Sequence, residues 1–568
     1  SRLRVGPWQA SRKAVRLDWG VLETLVDRLE RAPEVRAMVR YHANTSLYAC
    51  GGWHRYLEAR NPGGQGRTYH LEAVEATPHL DFTLQQAQTG LRLGNLAARL
   101  ARHQEVDPGE AQAFLERLVA AQVLRSDLHP PLTGGDPLGH VIAALRSHPL
   151  TDGLAAPLAA LARELEGLRE APLGAHPGGY AGQAPALAEL EVPAGIRDVL
   201  QVDLFRPAAD LALSPAVRRV LEEGVETLRR LTPAPPADGP LARFRAAFTE
   251  RCGMRWMPLL EVLDEESGLG FDGIPSYGSP LLADLTLPVP TRPQALTGRD
   301  RFLMGQIPRW QGHQVWELTD VDVAALTPRN LPAFPPAFAA LASLSAPDAE
   351  ALDEGGFTFW MEQYSGPTAA RWLGRFASGD AELGAALRAH LRREEAARPE
   401  AVFAEVVHVP EGRMGNILAR PALREYEIPF LATPGAAHEQ TILPQDLLVT
   451  VRAGRVMLAS RRLGREVVPR LSSAHNFGRG PVVYRFLAHL QDQDGRSGGW
   501  SWGALEDLPF LPRVTRGRHV LCKARWRIGA DELKAGGEDA WAAFQALRER
   551  RGLPRFVTLT DADNTLLV

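Results

Sequence analysis

The chain has 568 residues, room for three to four domains at roughly 150 residues each, with 45% hydrophobic and 23% charged residues. That balance excludes wholesale disorder, and a net charge of −3 excludes a globally basic nucleic-acid binder. Its three cysteines, Cys50, Cys252 and Cys522, lie far apart, which excludes a disulfide scaffold or a cysteine-rich zinc module and suits a reducing cytosol. No apolar run reaches the roughly 18 residues of a membrane span, and the N-terminus has no signal-peptide core, so a cytoplasmic location is expected. Of 64 Lys and Arg, only Lys13, Lys523 and Lys534 are lysines; abundant Ala, Gly, Pro and Leu point to a GC-rich genome as the cause.

Residues 18–31 carry apolar side chains at helical spacing behind Asp18, a residue type that caps helix N-termini. Residues 46–50 and 53–58 flank Gly51-Gly52 as a hairpin, and 68–74 add a third strand after a Pro/Gly loop at 61–66. Three helices follow: one from Thr77-Pro78, one over 91–103, and one from Asp107-Pro108 to about Gln122. Residues 123–128 read as a strand returning to that sheet, and the whole of 45–128 resembles a winged helix-turn-helix. A linker at 129–137 leads into a mostly helical segment ending at 252, broken at 171–182 and 232–239. From 253 to 568 the pattern is mixed, and its clearest hairpin spans 446–460 around Ala453-Gly454. The class is α+β, in four segments: 1–44, 45–128, 129–252 and 253–568.

Standard catalytic motifs are missing: no Walker loop, H-E-x-x-H, G-x-S-x-G or strand-borne G-x-G-x-x-G is present, and His438-Glu439 lacks a second histidine four residues on. Composition and spacing alone stop at a large α+β protein. Three segments go further, because they combine Gly, Pro, Arg and polar residues that core packing does not require. The first, 259–271, reads as a strand entering an acidic, glycine-bearing turn at Asp264. The second, 364–376, is a loop feeding a helix with Arg371 and Arg375 one turn apart. The third runs from Gly412-Arg413-Met-Gly-Asn416 through Arg420-Pro and Leu423-Arg424-Glu-Tyr-Glu-Ile-Pro429. It continues into Ser460-Arg-Arg-Leu-Gly-Arg465-Glu and Ala474-His475-Asn476-Phe.

Together with Tyr484-Arg-Phe-Leu, Trp502-Gly, Leu508-Pro-Phe-Leu-Pro-Arg-Val and Asp561-Ala-Asp-Asn564, these stretches resemble the glutamylation domain of class I lanthipeptide dehydratases, the LanB-type enzymes, in order along nearly the whole chain. The resemblance implies a LanB-like multi-subdomain fold with an embedded winged-helix peptide-recognition module. It implies transfer of glutamate from glutamyl-tRNA to Ser or Thr of a ribosomal precursor peptide, with a separate domain eliminating glutamate afterwards. The donor ester is already activated, so neither an ATP site nor a cofactor or metal is expected; glutamyl-tRNA is a co-substrate. The implied partners are charged tRNA, a precursor peptide with its leader and an elimination-domain protein, with a homodimer as a further option.

By the same resemblance, Asp18, Asp264 and Arg375 are the catalytic residues, with Glu265 an alternative to Asp264, and with Arg371 beside Arg375 and Arg424 behind them as alternatives for the arginine. Arg371, Arg413 and Arg424 are tRNA- or glutamyl-binding residues. Tyr69, Leu71 and Ala73 supply an edge strand, and Phe114 and Leu118 a groove, for the leader peptide. Without the resemblance, Asp18 reads as a helix cap, Arg371, Arg375 and Arg413 as solvated helix or loop faces, the leader residues largely as core, and His475-Asn476 as a buried turn. The family's N-terminal Arg-Ser-Thr-Arg-Pro-Thr-Pro-Phe-Gly-like block is missing, Thr291-Arg292-Pro293 stands in another context, and the elimination domain is absent. A fragment or half of a split system is therefore expected. Two rival readings are a peptide–aminoacyl-tRNA ligase and a winged-helix DNA-binding regulator. The second is disfavoured because Arg92, Arg99, Arg102 and Arg117 are matched by Glu105, Asp107, Glu110 and Glu116.

Overall fold

The structure, a computed structural model, describes residues 1–60, 67–174, 178–181, 199–233, 238–273, 296–331, 334–409, 412–493, 497–529, 531–532, 540–560 and 565–567. The loop at 61–66, Thr291-Arg292-Pro293 and Asp561–Asn564 lie outside these residues, as do parts of 171–182 and 232–239. Among the described residues no helix is long and apolar enough to cross a membrane.

Asp18 caps the helix Trp19–Leu29 by accepting from Gly20 N, and the helix buries Val21, Leu22, Leu25 and Val26. That face belongs to a first core shared with Pro78–Gln86, Leu93–Gln104, Pro108–Ala120, Pro137–Arg146 and Pro149–Glu170. One core thus spans the expected boundaries at 44/45 and 128/129, so 1–44, 45–128 and the start of 129–252 are not separate packing units.

Within 45–128 the three helices and their Thr77 and Asp107 caps stand where the sequence puts them. The sheet differs. Tyr48–Cys50, Trp53–Arg60 and Thr68–Glu75 form their own three-stranded sheet, whereas Leu124–Ser126 pairs with Arg40–Ala43, which also pairs with Leu91–Arg92. The last strand therefore returns to a partner outside the expected module, and a winged helix bounded at 45 and 128 does not describe this topology.

The expected helical run 129–252 contains two strands, Leu200–Phe205 and Ala208–Ala212, which pair with Arg12–Leu17 and Arg2–Val5. Period-two alternation in Leu-Gln-Val-Asp-Leu-Phe explains them. Directly paired residues share a face, so Arg12, Ala14 and Arg16 stand beside Phe205, Asp203 and Gln201.

A second core fills the space beneath a six-stranded sheet ordered Met257–Pro258, Leu447–Arg452, Arg455–Ser460, Arg465–Arg470, Val402–Val407, Tyr426–Pro429. The strands 447–452, 465–470, 402–407 and 426–429 run parallel, so their carboxyl ends lie at one end of the sheet. The turn Ala453-Gly454 has both φ values positive, 47° and 72°, as a two-residue hairpin requires. Residues Leu259–Leu263 form a short helix, not the expected strand; four of its five side chains are buried, and so short an apolar run does not distinguish the two. A third core joins a five-stranded sheet, including Thr358–Ser365 and His519–Cys522, to helices Pro215–Leu231 and Gly298–Trp310.

Candidate functional site

The Gly412-to-Asn416 motif is built to meet the start of the first helix. A Cβ on Gly415 would lie 2.0 Å from the Trp19 ring, so only glycine lets the two segments touch. Asn416, buried, donates from Nδ2 to Asp18 Oδ2 at 2.6 Å and accepts at Oδ1 from Trp19 N at 2.9 Å. Asp18 Oδ1 accepts from Gly20 N at 2.9 Å, and Arg413 Nε reaches Asp18 Oδ2 at 3.3 Å. The carboxylate is almost fully buried while the Arg413 side chain is 65% exposed. A fixed anion thus sits beneath a cation that faces solvent.

The same cluster extends through Asn416. Arg16 Nη2 donates to the Asn416 carbonyl at 2.7 Å and stands 3.5 Å from Asp203, which also accepts from Arg375 Nη2 at 2.8 Å. One carboxylate therefore serves two guanidinium groups, and the pair carries a surplus positive charge. Burial and the nearby Arg375 lower the pKa of Arg16, with Asp203 opposing. Arg375 is placed by Gly374, whose Cβ would lie 2.1 Å from the Ser472 carbonyl oxygen. Arg371, one turn back, donates to the Gly366 carbonyl at 3.2 Å and lies 3.8 Å from Asp492 with its side chain 15% exposed. Burial pushes the Asp492 carboxyl up to about 6, against the pull of Arg371 and Arg470.

Asp18 and Arg413 are thus in direct contact, and Arg375 is joined to them only through Asp203, Arg16 and the Asn416 carbonyl, with Arg371 on the segment that carries Arg375. Asp264 belongs to a different set. It accepts from Tyr48 Oη, from Arg55 Nη1 at 2.7 Å, and from the backbone of Glu266 and Ser267 at 2.9 and 2.7 Å. Burial pushes its carboxyl up, but these donors outweigh it and hold the pKa at about 2. Four donors fill the lone-pair sites of a carboxylate, so Asp264 fits a bracket between the hairpin sheet and Leu259–Leu263 and does not fit a proton acceptor. Glu265, partly buried, sits in the same turn.

Arg424 requires a correction. Its side chain is fully buried and paired with Glu394 at 2.6 Å and Glu395 at 2.5 Å, and its guanidinium lies 5.5 Å from the Phe403 ring centroid. Arg470 pairs with Glu394 at 2.9 Å and Arg420 with Glu405 at 2.5 Å, completing an internal ion network that an RNA backbone cannot reach. Among the leader residues, Tyr69, Leu71 and Ala73 stand on Thr68–Glu75, the outer strand of its sheet among the described residues. Ala73 is exposed and Leu71 and Phe114 half-buried, but Tyr69 and Leu118 are core. Tyr69 Oη lies 3.3 Å from His408 Nε2 and from the Val409 carbonyl, which aims it inward.

His475 is half-buried with Nδ1 3.1 Å from Tyr484 Oη, and Asn476 caps a short turn by accepting from Gly478 N. Among the described residues, Asp27, Glu30 and His129 bring potential metal-ligand atoms within 4.8 Å of one another; His129 Nε2 lies 3.4 Å from Glu30 and 3.8 Å from Asp27. Sequence reasoning missed Arg16, Asp203 and the clamp role of Asn416. Arg16 was signalled by standing two residues before Asp18 on an alternating strand, and Asp203 by the same alternation in 200–205.

The sequence profile of the family described as "Lantibiotic dehydratase, N terminus" matches residues 1–568. Among curated proteins, the chain is 21% identical over 490 residues to the epidermin biosynthesis protein EpiB of Staphylococcus epidermidis, covering 81% of this chain and 45% of EpiB. Among solved structures it resembles the tRNA-dependent lantibiotic dehydratase MibB of Microbispora sp. 107891 at 26% identity and TM-score 0.83, covering 100% of this chain and 55% of MibB. The TbtB glutamylation domain from thiomuracin biosynthesis shares the fold at 18% identity and TM-score 0.65, covering 100% of this chain and 68% of that one. The chain spans about half the length of EpiB and MibB.

Proposed function

The chain belongs to the lantibiotic dehydratase N-terminal family, and on that premise we propose that it transfers glutamate from glutamyl-tRNA to Ser and Thr side chains of a ribosomal precursor peptide. The observation that carries this reading is the joining of the buried Asp18 carboxylate to the exposed Arg413 within the Arg16–Asp203–Arg375 cluster. A glutamyl ester presents an ammonium group and a free side-chain carboxylate. Asp18 is the group to take the ammonium and Arg413 the group to grip the carboxylate; the surplus charge of Arg16 and Arg375 suits the terminal phosphates. The acceptor hydroxyl adds to the ester carbonyl carbon and the bond to the ribose oxygen breaks. That oxygen receives the proton the hydroxyl gives up, and the glutamyl group ends as an ester of Ser or Thr.

One ester replaces another, so the exchange needs no ATP to activate the acyl group, and positioning of the two reactants supplies most of the acceleration, on the order of several kcal/mol. The outer position of Thr68–Glu75 in its sheet supports leader binding by strand addition, with Ala73, Leu71 and Phe114 as the contacts left available. A separate elimination domain and a homodimer are the assemblies this reading implies. The test mixes the protein with glutamyl-tRNA and a precursor peptide. The expected product carries glutamyl increments on Ser or Thr that hydroxylamine removes. A hydroxylamine-stable amide at the peptide C-terminus, the product of a peptide–aminoacyl-tRNA ligase, or no increment at all, overturns the reading.

A further inference from the structure

Arg424 is sealed inside and Arg371 mostly covered, so the acceptor end of an RNA meets few free cations near Asp18. A denser set stands on the helix Pro240–Cys252 and the neighbouring hairpin. Arg243 donates to the carbonyls of Asp238 and Asp272 at 2.6 and 3.0 Å, and Arg245 to that of Gly454 at 2.8 Å. Arg251 donates to Gly268 and Ser267 at 2.8 and 3.0 Å, and Arg452 lies over the Trp256 ring at 5.3 Å. Among the described residues, none of these four pairs with a carboxylate. Each of the three helix guanidinium groups is held by backbone carbonyls that use one or two of its five donors; Arg243 and Arg251 are exposed, and Arg245 is half-buried on the flank of the helix toward the Ala453-Gly454 turn. Phe244, Phe248 and Cys252 bury the helix's other face in the second core, so these positions are rigid.

Sheet register places this face relative to Asp18. Residues 447–452 run parallel to 402–407, and the latter strand leads through His408 and Val409 into the Gly412-to-Asn416 clamp. The turn Ala453-Gly454, which Arg245 touches, is therefore at the same end of the sheet as the clamp. Three strand spacings separate the two strands, ~14 Å. Glu250 lines the groove between the helix and the turn, together with Arg245, Thr249 and Met254.

We infer that Arg243, Arg245, Arg251 and Arg452 form an RNA-docking face that holds the body of the charged tRNA by its phosphates while its 3′ end reaches Asp18 and Arg413. The inference rests on the proposed glutamyl-tRNA reading. It is tested by fluorescence anisotropy with labelled tRNA over a salt series, using the unmodified protein, a fourfold Arg→Gln variant (R243Q, R245Q, R251Q, R452Q) and Glu250→Gln. The fourfold variant binds at least about tenfold more weakly near 0.1 M salt, its salt slope falls by roughly 0.7–0.9 for each phosphate that is no longer neutralised, and its transfer rate at saturating tRNA is unchanged. Glu250→Gln binds more tightly, and it decides the matter should the fourfold variant not fold. Equal affinity and slope for the unmodified protein and the variants overturn the docking face and leave the proposed function standing. Failure of the unmodified protein to bind tRNA overturns both.

Discussion

Asn416 donates to Asp18 across 2.6 Å, joining positions 398 apart in the chain, and the same amide accepts from Trp19 N, the next residue along. The first turn of Trp19–Leu29 is thereby capped twice, from within by Asp18 and from outside by Asn416. One planar group sets the carboxylate's orientation and leaves it facing Arg413. Asp18→Asn retains an oxygen that can cap the helix but removes the charge. The expected result is a melting temperature within a few degrees of the unmodified protein and, because the donor ammonium loses its charged partner, a glutamyl-transfer rate up to about 100-fold lower, followed by mass spectrometry. Loss of folding with no separate loss of rate in the folded fraction would reduce Asp18 to a cap.

Arg413 and Arg424 should respond in opposite ways. Arg413 is 65% exposed, so Arg413→Ala changes stability by about 0.5 kcal/mol or less and weakens transfer. Arg424→Ala leaves Glu394 with one fewer partner in the interior and costs about 3–5 kcal/mol, measured by urea unfolding. Its tRNA affinity, measured on whatever folds, stays the same.

Gly415→Ala probes the close approach of the clamp to the first helix. A methyl group there would overlap the Trp19 indole, whose ring atoms lie 2.0–2.4 Å from the added carbon. The ring must shift, carrying the helix start with it, at a cost of about 1–3 kcal/mol. Transfer falls as well, although no reacting group is replaced, because the Asp18–Asn416 geometry moves with Trp19. A variant with unchanged melting and unchanged rate would mean that the segments separate without consequence.

The cap at Asp18, the Thr77 and Asp107 helix starts and the Ala453-Gly454 turn were legible because each is set by chemistry within a few residues. The Arg16–Asp203–Arg375 cluster was not, since it depends on pairing between strands 188 positions or so apart, and Asp203 lay in a stretch read as helix. Burial was the other blind spot. Residue type says nothing of whether Arg424 faces water, and its partners Glu394 and Glu395 lie about 30 positions away. Tyr69 fails for the same reason, because the sheet has two faces and the sequence does not say which one meets His408.

His408 supplies a prediction about pH. Its Nδ1 lies 2.8 Å from the Phe430 carbonyl, so this nitrogen carries the proton and donates, and the ring is packed 4.8 Å from that of Tyr484. Burial pushes its pKa down to about 3; the Phe430 carbonyl opposes this, while Arg67 and His475 reinforce it. The unfolded chain, with an ordinary histidine near 6.5, binds a proton that the folded chain refuses. The stability this neutral histidine contributes is therefore complete above about 6.5 and is lost as pH falls from there toward 3, at up to about 1.4 kcal/mol per pH unit. His408→Gln keeps a donor for the Phe430 carbonyl and cannot titrate. Its unfolding free energy should be lower than that of the unmodified protein at pH 7, with the gap narrowing as pH is brought to 5. Parallel urea-midpoint curves for the two proteins between pH 7 and 5 would show that acid sensitivity arises elsewhere.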